Sequence, residues 1–300
     1  MVDSRQKRER ISPLSDQTVP AQIYTEEYYT TCCDGYDMFS VSLGRQLPLR
    51  LLEPLRLANL KPNSLVLDVG CGRGELIYHL ARSGHTAVGL DYAPQGVKIA
   101  RDALGVIADF ETKLHLGLNL ANAKHLPFST NSVDGVFMLD VVEHLFPAEL
   151  DSVLREIHRV LKPQGRLIIH TMPNTWYYTL GYPLYRLVQR LRGIKLPSDP
   201  RNRWEYQEVH VNEQNPVRLF RSLQRANFVT KVWLKSVQNY GYERNKLVHF
   251  GMRALTRIYP FKLVFCNDLF AIATKPAQPI GTTEQDRNDA ALLARAIIAR

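Results

Sequence analysis

Glycines 70, 72 and 74 stand in the run VLDVGCGRGEL (66–76), directly after a short apolar stretch and before a helical pattern. Glycine at alternate positions permits a tight turn and lets a ligand approach the backbone with no Cβ in the way. A dinucleotide fingerprint needs another glycine at the last position of G-x-G-x-x-G, and there the chain has Glu75. The turn, preceded by Asp68, therefore suits a ligand without a pyrophosphate. A second acid, Asp91, closes the next apolar run, TAVGLD (86–91). Its carboxylate can accept both hydroxyls of a ribose, and Tyr92 beside it offers a flat face to an aromatic base. A third constellation is Asp140, Glu143 and His144, at i, i+3 and i+4. If that turn is helical, the three side chains share one face.

These groups need a scaffold, and the hydrophobic pattern predicts one. Short apolar runs at 64–69, 86–91, 114–120, 133–139 and 166–171 read as buried strands. Helical patterns follow the first two, at 75–81 and 93–104, and the fourth, at 148–161. Continuous apolar strands alternating with helices imply a mostly parallel sheet covered on both faces. After residue 171 the rhythm breaks for about forty residues rich in Tyr, Trp, Arg and Pro, then resumes with a helix at 216–226 and strands at 228–234 and 263–274. An insertion there leaves from the carboxyl edge of the sheet, where open α/β folds bind ligands. A helix kinked near Pro54 is predicted over 47–60.

Jointly, VLDVGCGRG, GLDYA, NAKHLPF, VDGVFMLDVVEHL and LKPQGRLIIHTMPN resemble the class I S-adenosylmethionine-dependent methyltransferases, the broad group that includes the ubiquinone-type O-methyltransferases. The resemblance covers roughly residues 60–275. It implies a Rossmann-like α/β fold with a seven-stranded sheet, helices on both faces and a helical cap inserted after the fifth strand. Its implied divisions are a flexible tail (1–20), a helical lid (21–60), the methyltransferase domain (61–275, with the cap at 172–212) and a carboxyl-terminal tail or helix (276–300).

The resemblance also implies S-adenosyl-L-methionine as cofactor. Gly70, Cys71, Gly72 and Gly74 would lie against its methionine part, Asp68 near its amino group, Asp91 on the ribose and Tyr92 on the adenine. Asn122 and Ala123 fall where the group has Asp-Ala at the adenine edge; Asn keeps an acceptor and removes a charge. Leu139 would pack near the sulfur. Tyr24, Tyr28 and Tyr29 stand either as a lid over the cofactor or as core aromatics. The DVVEH segment resembles the E-x-x-E-H metal sites of small-RNA terminal and ubiquinone-type methyltransferases, with Asp140 for the first Glu and His210 at the position of a later histidine. Asp140, Glu143, His144 and His210 would then hold Mg²⁺ or another divalent cation. Without a metal, His144 or His210 is the candidate base.

Of the overall charge of +9, residues 178–275 carry 17 Lys/Arg against 6 Asp/Glu. An anionic substrate, an anionic membrane surface or RNA could answer that basicity; the chain has no recognised RNA-binding module, which argues against nucleic acid. Leu184, Leu187, Val188 and Leu191, and then Leu247, Phe250, Ala254, Leu255 and Ile258, form apolar stripes flanked by arginines. These fit a cap packed on the substrate pocket, or interfacial attachment. No apolar stretch approaches the ~20 residues that span a bilayer, and the charged start MVDSRQKRER is not a secretory signal. A cytoplasmic protein, or one peripheral to the inner membrane face, is expected. The four cysteines have no metal or redox spacing. The expected activity is methylation of a small or amphiphilic acceptor, at oxygen. RNA 2′-O-methylation with a divalent metal, and cofactor binding without turnover, are the alternatives.

Overall fold

The computed structural model describes residues 17–108, 114–203, 206–237 and 245–277. All but the first two residues of the tail or helix expected over 276–300, and most of the 1–20 tail, lie outside them. A π-helical turn at Tyr28–Cys32 leads into helices α1 (Tyr36–Ser42) and α2 (Leu49–Leu57). Helix α2 is shorter than predicted and ends three residues after Pro54, whose ring removes a backbone donor.

The core alternation is β1 (Leu65–Val69), α3 (Glu75–Arg82), β2 (Thr86–Asp91), α4 (Pro94–Ala108), β3 (Leu116–Leu120), β4 (Val133–Leu139), α5 (Pro147–Val160) and β5 (Leu161–Thr171). Then come α6 (Tyr182–Leu191), α7 (Pro216–Arg225), β6 (Val229–Leu234), α8 (Lys246–Leu255), α9 (Lys262–Phe265) and β7 (Leu269–Thr274). The strands form one sheet in the order β3-β2-β1-β4-β5-β7-β6, parallel except for β7, which runs against both its neighbours. The order reverses between β1 and β4, so the loops after these two strands open side by side at the switch point.

Side-chain alternation splits the apolar runs between two faces. Leu67, Val136, Met138, Leu167 and Ile169 pack with α5 and α7, whereas Val66, Ala87, Phe137 and Ile168 pack with α2, α3 and α4. Helix starts follow local chemistry. Pro147 opens α5 and the Glu149 carboxylate accepts from the Phe146 N–H at 3.2 Å; Asn215 caps α7 by accepting from the Arg218 N–H at 2.9 Å.

Two expectations fail. The strand predicted over 263–274 begins only at Leu269, because Lys262–Phe265 are helical and Asn174 Nδ2 binds the Leu263 and Cys266 carbonyls, each at 3.0 Å. A short apolar run has no period that separates buried helix from strand. The stripe of α6 does not pack inward either. Leu184, Leu187 and Leu191 are 53, 54 and 81% exposed, and the buried face of that helix carries Tyr182 and Gln189 instead.

Candidate cofactor and active site

The turn after β1 is built for glycine. Gly70, Gly72 and Gly74 have φ of 77°, 48° and 81°. A Cβ at Gly70 would fall 2.3 Å from Val141 Cγ2, and one at Gly74 2.9 Å from Ala100 Cβ. The Gly70 and Cys71 N–H groups donate to the Leu90 carbonyl at 2.7 and 3.1 Å. Asp91 holds the turn from the neighbouring strand: Oδ2 accepts from Gly72 N–H and Oδ1 from Ala93 N–H, both at 2.9 Å. Burial raises the Asp91 pKa, while these two amides and that of Tyr92 oppose the rise. Asp68, at the end of β1, is pushed up to about 8 by burial and then by the Asp91 and Glu75 charges.

The amino-terminal segment closes over this cradle. Tyr24, Tyr28 and Tyr29 cluster with Tyr92, Ala93 and Val209, and the Tyr92 hydroxyl donates to the Val19 carbonyl at 3.0 Å. Tyr29 reaches the glycine turn itself: its Cε1 lies 3.5 Å from where a Gly72 Cβ would stand, and its hydroxyl 2.5 Å from a Gly96 Cβ. Arg73, inside the turn and 3% exposed, donates to the carbonyls of Tyr29, Cys33 and Asp34 at 3.0, 3.1 and 2.9 Å and pairs with Glu75 at 3.1 Å. One guanidinium thus ties the amino-terminal segment to the turn. Sequence reading passed over it, although an arginine between glycines of a buried turn must find acceptors.

After β3, the Ala121 N–H donates to the Asp91 carbonyl at 2.9 Å, bringing Asn122 and Ala123 beside Asp91. The Asn122 Oδ1 accepts from Lys124 N–H at 2.9 Å, an Asx turn that occupies the acceptor locally. Leu139 is buried at the end of β4 with Cys71 and Phe137.

Residues 140–144 do not present a single ligand face. Asp140 has φ 56° and turns toward the sheet, where it bonds His170 Nδ1 at 2.5 Å and pairs with Arg50. The other nitrogen of His170 lies 3.4 Å from Asp268. Against burial, which lowers it, Asp140 and Asp268 push His170 up to about 10, so it is an imidazolium; His170 and Arg50 in turn hold Asp140 well below the usual carboxylate range despite burial. His170, Arg50 and Asp268 come from three distant stretches of chain and carry no local signal.

Asp140 thus leaves the predicted metal set and three members remain together. Ligand atoms of Glu143, His144 and His210 lie within 4.8 Å of one another. Thr171 donates to Glu143 Oε2 at 2.7 Å, and burial followed by the Asp140 charge pushes Glu143 up to about 8. His144 Nδ1 donates to the Val209 carbonyl at 3.2 Å, leaving the lone pair on Nε2, while burial and then His210 push its pKa down to about 3. So weakly basic an imidazole takes protons poorly, but the neutral ring is the form that ligates cations. His210 packs edge-on to His144 with centroids 5.0 Å apart, and burial lowers its pKa as well. Two imidazoles and a carboxylate fit a borderline divalent cation.

Residues 67–169 match the methyltransferase domain family. The chain carries a class I S-adenosylmethionine-dependent methyltransferase domain. Ubiquinone biosynthesis O-methyltransferase of Xanthomonas oryzae pv. oryzae is 32% identical over 138 residues, 44% of this chain and 55% of that protein. Methyltransferase GfsG of Streptomyces halstedii is 36% identical over 127 residues, 42% of this chain and 43% of its own. The chain thus spans about half the length of the curated relatives it matches. Among solved structures, Haemonchus contortus phosphoethanolamine N-methyltransferase 2 in complex with S-adenosyl-L-methionine aligns at TM-score 0.55 and 16% identity, over 83% of this chain and 59% of the other. A SAM-dependent methyltransferase from Methanosarcina mazei aligns at 0.50 and 20%, over 75% and 98%. At such identities the likeness is one of fold. The matched stretch contains the glycine turn and Asp91, whose carboxylate bonds the Gly72 N–H within that turn.

Proposed function

We propose that the chain transfers a methyl group from S-adenosylmethionine to an oxygen of a small or amphiphilic acceptor by in-line displacement. The observation that carries the reading is the Glu143, His144 and His210 group, joined to the glycine turn through Val141. The ubiquinone biosynthesis relatives are named O-methyltransferases, which supports oxygen as the site.

In this reading Gly70, Cys71, Gly72 and Gly74 line the methionine part and Asp91 holds the ribose. Tyr92, Asn122 and Ala123 border the adenine, and Leu139 packs near the sulfur. Asp68 receives the ammonium of the cofactor; a cation beside this buried carboxyl would draw its pKa back down. The sulfonium supplies an electrophilic methyl with a good leaving group, so the protein's share is alignment at about 3 Å and exclusion of water. The tyrosine lid does the second.

Glu143, His144 and His210 would hold a divalent cation such as Mg²⁺ or Zn²⁺, which lowers the pKa of an acceptor hydroxyl. Asp140 orients this corner through His170. The test incubates the purified protein and labelled cofactor with fractionated cell extract, with and without chelator, and identifies the product by mass. A labelled hydroxyl, lost on chelation, is expected. Label on nitrogen overturns the acceptor class, and undiminished activity in chelator removes the metal.

A further inference from the structure

Outside the cofactor site, the surface of α6, α8 and α9 is the least accounted for. Of the seventeen large hydrophobic side chains exposed among the described residues, eleven lie in segments 180–194 and 247–261. Leu180 in the turn before α6, and Leu184, Leu187, Val188 and Leu191 on it, repeat at helical spacing and are all at least 44% exposed. Leu247 and Phe250 on α8 are 79 and 71% exposed, and Phe261 at the start of α9 is 50% exposed. The pieces are neighbours: the turn at Tyr177–Gly181 that leads into α6 packs on α9, and α9 packs on α8. A helix that buries tyrosine and glutamine and shows leucine to solvent is inverted for a free surface, and contiguous exposed apolar area marks a contact.

Charge says what kind. Segment 180–195 holds Arg186, Arg190, Arg192 and Lys195 and no acid; segment 246–262 holds Lys246, Arg253, Arg257 and Lys262 and no acid. Leucine and phenylalanine ringed by cations of one sign match an anionic lipid interface, where apolar side chains enter the acyl boundary and cations meet headgroup phosphates. A second copy of the same face would set cation against cation. No helix of the described residues is long and apolar enough to cross a membrane. We propose that this helical face lies on the surface of an anionic phospholipid membrane as an interfacial anchor, independent of the reaction the domain performs.

The test is co-sedimentation of the full chain with vesicles of phosphatidylglycerol and phosphatidylcholine, against phosphatidylcholine alone, at low and high salt. Binding to the anionic vesicles should be at least about tenfold tighter and should weaken with salt. Leu184→Glu combined with Leu187→Glu and Leu191→Glu should weaken it by about tenfold or more, and Arg186→Glu or Arg190→Glu alone by about fivefold. Because these side chains are exposed, the melting temperature should not move. Absence of binding at low salt, or retention by the triple variant, overturns the proposal. So does a solution dimer that the triple variant splits, since the face would then be covered by a second copy.

Discussion

Asp140→Asn isolates the charge that organises the floor of the site. Asparagine tolerates the left-handed backbone at this position, so the φ of 56° adds little strain. What changes is the balance of a buried set. His170 is fully buried, Asp268 1% exposed and Arg50 12% by side chain, and with Asp140 they comprise two cations and two anions. Removing Asp140's charge takes away the carboxylate that Arg50 and His170 share, leaving Arg50 with Asp34 at 3.6 Å and His170 with Asp268 at 3.4 Å. Breaking such a buried pair costs about 3–5 kcal/mol, a large share of the ~5–15 kcal/mol that holds a domain together.

The pH dependence carries a sign. The folded pKa of His170, about 10, lies above the unfolded value near 6.5. Its contribution is therefore complete below about 6.5 and is lost as pH rises through about 10. In the variant the larger of the two charges that raise His170 is gone and burial works against the imidazolium, so this contribution is reduced across the window. Urea unfolding of both proteins between pH 6.5 and 10 should show the stability gap widest at the acid end and closing toward the alkaline end. A gap below about 1 kcal/mol, or one that does not change with pH, refutes the reasoning.

Other substitutions test other parts. Gly70→Ala places a Cβ 2.3 Å from Val141 Cγ2 at a positive φ; a loss of about 2–3 kcal/mol in thermal unfolding is expected, partly restored by Val141→Ala, and an unchanged midpoint argues against the turn as described. Arg73→Met removes the donor shared by three lid carbonyls; amide exchange over 28–34 should quicken by about tenfold or more, and unchanged protection would detach the lid from Arg73. Manganese affinity by calorimetry should rise about tenfold from pH 6.5 to 8, because Glu143, pushed up to about 8, must lose its proton while His144 is already neutral and burial favours the neutral form of His210. A flat profile removes Glu143 from the ligand set.

The cofactor half of the molecule was legible because its chemistry is local. Strands β2 and β4 fall on their predicted residues, and the glycine turn and Asp91 meet because adjacent parallel strands carry them to one edge. The far half resisted for physical reasons. Asp140 at i, i+3 and i+4 spacing looked like a partner of Glu143 and His144, but a left-handed backbone at that one residue sends its side chain to His170. The amphipathic period of α6 was read correctly, yet a period does not say which face is buried. The four residues of α9 are too few to reveal a period, so the pattern alone does not separate them from the strand that follows.

The central claim is that Gly70–Gly74 and Asp91 together grip an adenosyl group, and calorimetry with S-adenosylhomocysteine on the purified chain tests it most directly. Asp91→Ala removes the two amide bonds, each at 2.9 Å, that hold the turn, and with them the acceptor proposed for the ribose hydroxyls. Such contacts are worth about 1.5–3 kcal/mol apiece. The expected result is saturable heat from the unmodified protein and an affinity at least about 100-fold weaker in the variant. No heat from the unmodified protein, or equal affinity in both, would contradict it.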